Sequence, residues 1–195
     1  PHMLMKLSDE INCKLIHIST DCVFSGNKNT PYNELDFKDG EDTYAKTKGL
    51  GEIINKNHLT LRTSVIGPEL KADGEELFHW FMSQSGAING YTGAVWSGVT
   101  TIQLAKAVHW SIQKEITGLY HVTNNDSINK YDLLCLLKKH LKKKIEINPI
   151  IGKKINKSFS DTRKEINYKI PNYEEMIIEM KEVINNNREL YRQYI

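Results

Sequence analysis

Only three of the 195 residues are cysteine. Cys13, Cys22 and Cys135 are odd in number and scattered, which excludes a disulfide framework and any metal-ligand spacing. Each reads as a small buried or half-buried side chain. No apolar run approaches the length of a membrane span. A secretory signal of basic start, apolar stretch and small-residue cleavage site is also missing. These absences point to a reducing cytoplasm and to no membrane partner. Excess charge is lacking too, since the formal net charge is +2. A nearly balanced chain implies no strongly charged partner. The one dense basic cluster, Lys138 to Lys144, has no interleaved aromatics for stacking, so nucleic acid is not expected as a partner. Cations there suit a helix C-terminus. The seven histidines show no metal-ligand grouping, and no metal is expected. Internal repeats are absent.

The most consequential absence is a glycine-rich turn. Dinucleotide-binding folds open with a strand, such a turn, and a helix whose N-terminus holds the pyrophosphate. Neither Gly-x-Gly-x-x-Gly nor Gly-x-x-Gly-x-x-Gly occurs here. Gly49-Leu50-Gly51 sits inside a helical pattern, with Ile54 where a third glycine would fall.

What is present starts with Tyr44-Ala45-Lys46-Thr47-Lys48 and, upstream, Ile18-Ser19-Thr20-Asp21. On a helix, Tyr44 and Lys48 share one face. An ammonium beside a phenol favours the phenolate. With a hydroxyl such as that of Thr20 nearby, a tyrosine so placed can be a general acid for carbonyl reduction.

The elements follow from periodicity. Leu4 to Ile11 reads as the end of a helix, and Lys14 to Ser19 as a buried parallel strand. Thr20 to Thr43 is loop, Tyr44 to about Asn55 helix, and Leu59 to Ser64 strand, stopped by Gly67-Pro68. This strand-loop-helix-strand unit builds parallel sheets. Further on, Glu75 to Gln84 is expected to be helix, and Ala87 to Gly98 loop with one short strand. Thr100 to Gln113 reads as an amphipathic helix. A strand is expected over Gly118 to Thr123, a helix over Asn129 to Lys142 and a strand over Ile145 to Ile150. The tail Tyr173 to Tyr191 reads as helical.

The run Leu15 to Gly26, then Pro31-Tyr32-Asn33-Glu34, then Tyr44 to Glu52 resembles the extended short-chain dehydrogenase/reductases. Within them it is most similar to the dTDP-4-dehydrorhamnose reductase group. Members have a strand ending Ser-Thr-Asp-Tyr-Val-Phe-x-Gly, then Tyr-x-x-x-Lys opening a helix that ends near Gly-Glu. The likeness covers most of the chain and is sharp in its first third.

The resemblance implies an α/β fold: the C-terminal part of a Rossmann-like parallel sheet plus a small mixed substrate-binding lobe. The expected division is 1–68 for the partial NAD(P)-binding domain and 69–195 for the lobe. By the same likeness the chain begins just before the fifth strand of the sheet, either as a piece of a longer enzyme or as a naturally short protein that has lost cofactor chemistry. Thr20, Tyr44 and Lys48 carry over as the catalytic residues. Ser19, Tyr44, Lys48 and the segment Ser64-Val65-Ile66 are implied to approach the nicotinamide cofactor, NADP or NAD. Asp21 and Phe24 match substrate-pocket positions, while Cys22 stands where relatives often have Tyr. Trp96 and Arg163 are candidates for stacking on a base or binding phosphate. The implied activity is reduction of a nucleotide-linked 4-keto-6-deoxy sugar, feeding cell-surface polysaccharides. A non-catalytic nucleotide-sugar-binding or partner-binding remnant stays open, as does an epimerase or dehydratase with the same Tyr/Lys pair. A homodimer is expected, through the edge of strand 14–19 and the apolar residues Leu50, Ile53 and Ile54.

Overall fold

The computed structural model describes residues 1–195. Helix α1 (His2–Glu10) precedes strand β1 (Ile16–Thr20), a 3-10 turn at Asp21–Val23 and a long loop. Helix α2 (Thr43–Gly51) carries the chain to β2 (Leu59–Thr63) and the short β3 (Val65–Ile66). Then come α3 (Leu77–Ser83), β4 (Ala87–Tyr91), β5 (Ala94–Trp96), β6 (Val99–Thr100) and α4 (Thr101–Gln113). Strand β7 (Gly118–His121), β8 (Ile128–Asn129), α5 (Lys130–Leu141), β9 (Glu146–Ile150) and β10 (Ile155–Asn156) follow. Helix α6 (Tyr173–Asn186) and a last 3-10 turn at Arg192–Tyr194 complete the chain.

The first sheet has the order β1-β2-β7 and is parallel throughout. Its central strand β2 is buried at all five positions, as its apolar and β-branched residues require between two neighbours. Strand β7 returns to this sheet after α4, so the sheet draws on residues from both sides of a division at residue 68. A core runs continuously from Leu59 and Leu61 of β2 through Phe78 and Phe81 of α3 to Met176 and Met180 of α6. A smaller cluster of Val23, Phe24, Tyr32 and Phe159 ties the loop after β1 to the segment after β10. There, Phe24 stacks on Tyr32 with ring centroids 4.1 Å apart.

The helices start where side chains satisfy their free N–H groups. Asp42 accepts from the Ala45 N–H at 2.7 Å to open α2. Thr100 does the same for α4, and Asn129 for α5. Asn172 and Glu175 form a reciprocal capping box at α6.

Several expected boundaries shift. Helix α2 stops at Gly51, short of Asn55, because Glu52 adopts an extended backbone and turns its carboxylate inward to Arg62. The third helix is Leu77–Ser83, shorter at both ends than expected. The stretch Ala87 to Gly98 holds two strands, since β4 pairs in parallel with the distant β9, and β5 with β10. Such pairings leave no local trace. The terminal helix ends at Asn186. Ile53, expected to need cover from a second chain, is buried in its own fold, while Leu50 and Ile54 are exposed. No helix is long and apolar enough to cross a membrane.

Candidate active site

The C-terminal ends of β1 and β2 open into a cleft of about 530 Å³. In parallel α/β sheets this is the end where ligands bind. Thr20, Asp21 and Cys22 line one side, and Tyr44 and Lys48 of α2 another. Ser64, Val65, Gly67, Glu69, Glu76 and Thr101 complete the wall.

Tyr44 keeps 55% of its surface exposed at this cleft. The Lys48 ammonium donates to the Ile18 carbonyl at 3.1 Å, which fixes α2 against the end of β1. The Thr20 hydroxyl donates to Asp21 Oδ1 at 3.1 Å and accepts from the Cys22 N–H at 3.2 Å. Burial pushes the Asp21 carboxyl up, partly offset by the charges of Lys157 and Lys130. Burial and then the Asp21 charge also push the Cys22 thiol up.

A network of buried charges lies beneath the cleft. Arg62 of β2 donates to both Glu52 oxygens, at 2.8 and 2.6 Å. The Ser19 hydroxyl donates to Glu52 Oε1 at 2.6 Å. Lys38 approaches Glu52 Oε2 at 3.3 Å. Burial alone would raise the Glu52 carboxyl, yet the hydrogen bonds and charge of Arg62, with Ser19 and Lys38, hold it below its ordinary value. The second Arg62 amino group sits 2.8 Å from His121 Nε2, and the guanidinium lies 4.9 Å over the Phe24 ring. The pair therefore joins the end of α2 to β1, β2 and β7.

A second cavity, of about 550 Å³, lies in the other half of the chain. It is lined by Leu77, Trp80, Ile88, Asn89, Tyr91, Ala94, Leu134 and Lys130. Two exposed rings and aliphatic walls make it suited to a flat, partly apolar group. Glu76 borders the cleft and its neighbour Leu77 borders the cavity, so the two spaces adjoin at the start of α3.

The structure brings Ser19, Thr20, Asp21, Tyr44, Lys48, Ser64 and Val65 together around the cleft. Four other residues singled out from sequence lie elsewhere. Phe24 is fully buried against Tyr32 and Phe159. Ile66 is buried in the core. Trp96 is also core, 4% exposed beside Tyr173, so its ring is not free to stack on a base. Arg163 reaches the carbonyls of Thr117 and Leu119 at 2.6 and 3.1 Å, at the start of β7 and away from the cleft end of the sheet. Conversely, the cavity-lining Trp80, Tyr91 and Lys130 are not singled out by the sequence. Only Lys130 left a signal, a cation at the first position of a helix, where the dipole disfavours it.

The nicotinamide end of a dinucleotide cofactor would meet Tyr44, Lys48 and the Ser64–Val65 backbone here. Tyr44's exposed phenol and Lys48's anchored ammonium, both on the cleft wall, fit that end of the group. The pyrophosphate end finds no glycine-rich turn in this sequence.

Comparison with known proteins agrees with this geometry. The family model of the RmlD substrate binding domain matches residues 1–164. The spore coat polysaccharide biosynthesis protein SpsK of Bacillus subtilis is 30% identical over 129 residues, covering 64% of this chain and 45% of that protein. The dTDP-4-dehydrorhamnose reductase of Escherichia coli is 28% identical over 152 residues, covering 69% of this chain and 48% of the relative. The chain thus spans about half the length of the curated relatives it matches. A dTDP-4-dehydrorhamnose reductase structure from Clostridium acetobutylicum superposes with a TM-score of 0.78 at 19% identity, over 91% of this chain and 68% of that one. That likeness establishes a Rossmann-like α/β fold. With its sequence matched over residues 1–164, the chain belongs to the family of the RmlD substrate binding domain.

Proposed function

We propose that this chain carries the proton donor and the substrate-holding part of a nucleotide-sugar reductase. Its substrate class is a 4-keto-6-deoxy sugar on a nucleoside diphosphate, as in dTDP-4-dehydrorhamnose reduction, and its setting is surface-polysaccharide synthesis. The observation that carries this reading is the meeting of Thr20, Tyr44 and Lys48 on one cleft that adjoins an aromatic-lined cavity.

In this reading the sugar lies in the cleft and the nucleoside in the second cavity. The Tyr44 hydroxyl gives its proton to the sugar carbonyl oxygen, and the carbonyl carbon accepts a hydride, leaving a hydroxyl. NADH or NADPH supplies that hydride when bound. Lys48 opposes the negative charge left on the phenolate, since a cation nearby favours the ionised form. Thr20 offers its hydroxyl to the carbonyl or to Tyr44, exchanging its present bond to Asp21. A second chain completes the assembly as a homodimer.

The test joins this chain to a glycine-rich cofactor-binding half of a relative. The joined protein should oxidise NADPH or NADH when given a dTDP-linked 4-keto-6-deoxy sugar. Binding of the nucleotide sugar with no turnover would favour the runner-up, a nucleotide-sugar-binding protein without catalysis. Conversion of the sugar with no net loss of reduced cofactor would favour an epimerase or dehydratase.

A further inference from the structure

Lys130 opens helix α5 at a position that the helix dipole disfavours for a cation. A cation at a helix N-terminus faces the positive end of the dipole. Asn129 already caps the helix, and Asp132 supplies the favourable acid of the first turn. The side chain does not turn outward to water. It lies 4.9 Å over the ring of Trp96, and it lines the aromatic cavity. Burial pushes its ammonium down, with Asp21, Cys22 and Glu76 pulling the other way from across the boundary with the cleft. Lys48 bonds Ile18, Lys38 bonds Gly49 and Lys143 bonds Met82, while the Lys14 ammonium, before β1, is buried without a hydrogen-bond partner. Lys130 has a ring beneath it and carboxylates at longer range.

Its place in the site has a simple chemical reading. Asp21 and Glu76 border the cleft, Leu77 and Trp80 border the cavity, and Lys130 lines the cavity while its charge interacts with the two cleft carboxylates. In a nucleotide sugar the diphosphate lies between the sugar and the nucleoside. A residue that breaks local rules without structural gain marks a functional position. We infer that Lys130 is the cation that binds the diphosphate of the substrate, held over Trp96 so that the ammonium faces the junction of cleft and cavity. Trp96 thereby contributes from the core, as the platform that aims Lys130.

This assignment rests on the reading of the cavity as the nucleoside site, and calorimetry on the 195-residue chain separates the two. The probes are thymidine, uridine, dTDP and UDP. Wild-type protein should bind a diphosphate at least tenfold more tightly than its nucleoside, roughly the weight of one charge-assisted contact. Lys130→Met should bring that ratio to about one and leave nucleoside affinity within about twofold. Lys130→Arg should keep most of the ratio, and Lys130→Gln should lose it, which covers a poorly folding Met variant. Thermal melting of each variant, at or above the wild-type Tm, separates lost binding from lost fold. A Lys130→Met or Lys130→Gln protein that still prefers the diphosphate overturns the assignment while leaving the nucleoside cavity standing. Wild-type protein that binds neither nucleoside nor diphosphate overturns both.

Discussion

Glu52 and Arg62 meet at 2.6 Å with both side chains almost entirely out of water. Glu52 follows the last residue of α2, and Arg62 is the fourth residue of β2. Their pairing sets the helix that bears Tyr44 and Lys48 against the strand end that bears Thr20, because Ser19 shares the same carboxylate. Removing one member strands a buried charge, whereas replacing both with apolar groups can be nearly neutral.

Arg62→Met should therefore destabilise the protein by about 3–5 kcal/mol in urea unfolding, and adding Glu52→Leu should recover much of that loss. The folded Glu52 carboxyl titrates below its ordinary value. Its contribution is present above pH 4.5 and lost as pH falls through the folded value. The double variant should lack that acid-side loss. A single variant as stable as wild type would show that the pair does not hold the fold.

Tyr44→Phe keeps the ring and removes the hydroxyl that carries the acidic proton. In the joined enzyme it should lower kcat by about 10²–10⁴, the usual weight of general acid catalysis, with substrate affinity nearly unchanged. Single-turnover measurement with saturating cofactor tests this. Turnover within threefold of wild type would assign the proton to another group.

His121 and Asp161 should give opposite pH dependences. Burial, then the Arg62 charge, pushes His121 from 6.5 down to about 4. Between these values the unfolded state binds more protons, so this residue makes stability rise with pH. Burial pushes Asp161 from 3.8 up to about 7. Over that range the folded state binds more protons, so stability falls with pH. In the wild type the two contributions oppose each other over this range. Asp161→Asn should expose the rising slope and His121→Gln the falling one. Chemical denaturation at pH 5, 6 and 6.5 decides it, and parallel profiles for all three proteins would refute the scheme.

Self-association should be visible at micromolar concentration. Helix α1 buries none of its residues, and Met3, Leu4 and Leu7 are exposed. His2 bonds the Leu50 carbonyl at 2.8 Å, which places this helix beside the exposed Leu50 at the end of α2. Strand β1 meanwhile pairs only with β2 and leaves an open edge. Light scattering should give a mass above the monomer, and Leu4→Lys with Leu7→Lys should lower it. A clean monomer mass for the unmodified chain would remove the dimer from the proposal.

The parts legible in the sequence were those specified locally. The β1–α2–β2 unit announces itself through an apolar run and the Tyr44/Lys48 spacing. The cleft followed directly, since Thr20, Tyr44 and Ser64 all lie at element ends of that unit. Less was legible where contacts span long separations. Pairing of Ala87–Tyr91 with Glu146–Ile150 cannot be read from either segment, and the cavity wall at Ile88 and Tyr91 depends on it. Trp96 and Arg163 misled for a related reason. Both residue types suit nucleotides, but burial and backbone carbonyls took them first.

The two spaces of the site share no lining residue. Thr20, Tyr44 and Lys48 come to the cleft from one short stretch of chain, and the cavity lining comes from Leu77 to Leu134. Variation can therefore act on them separately. In the proposed reading, changes at Trp80, Tyr91 or Lys130 would alter what is held without displacing Tyr44, and drift at Cys22 would reshape the sugar end. On that reading a lineage built on this scaffold can exchange cargo while inheriting one chemistry.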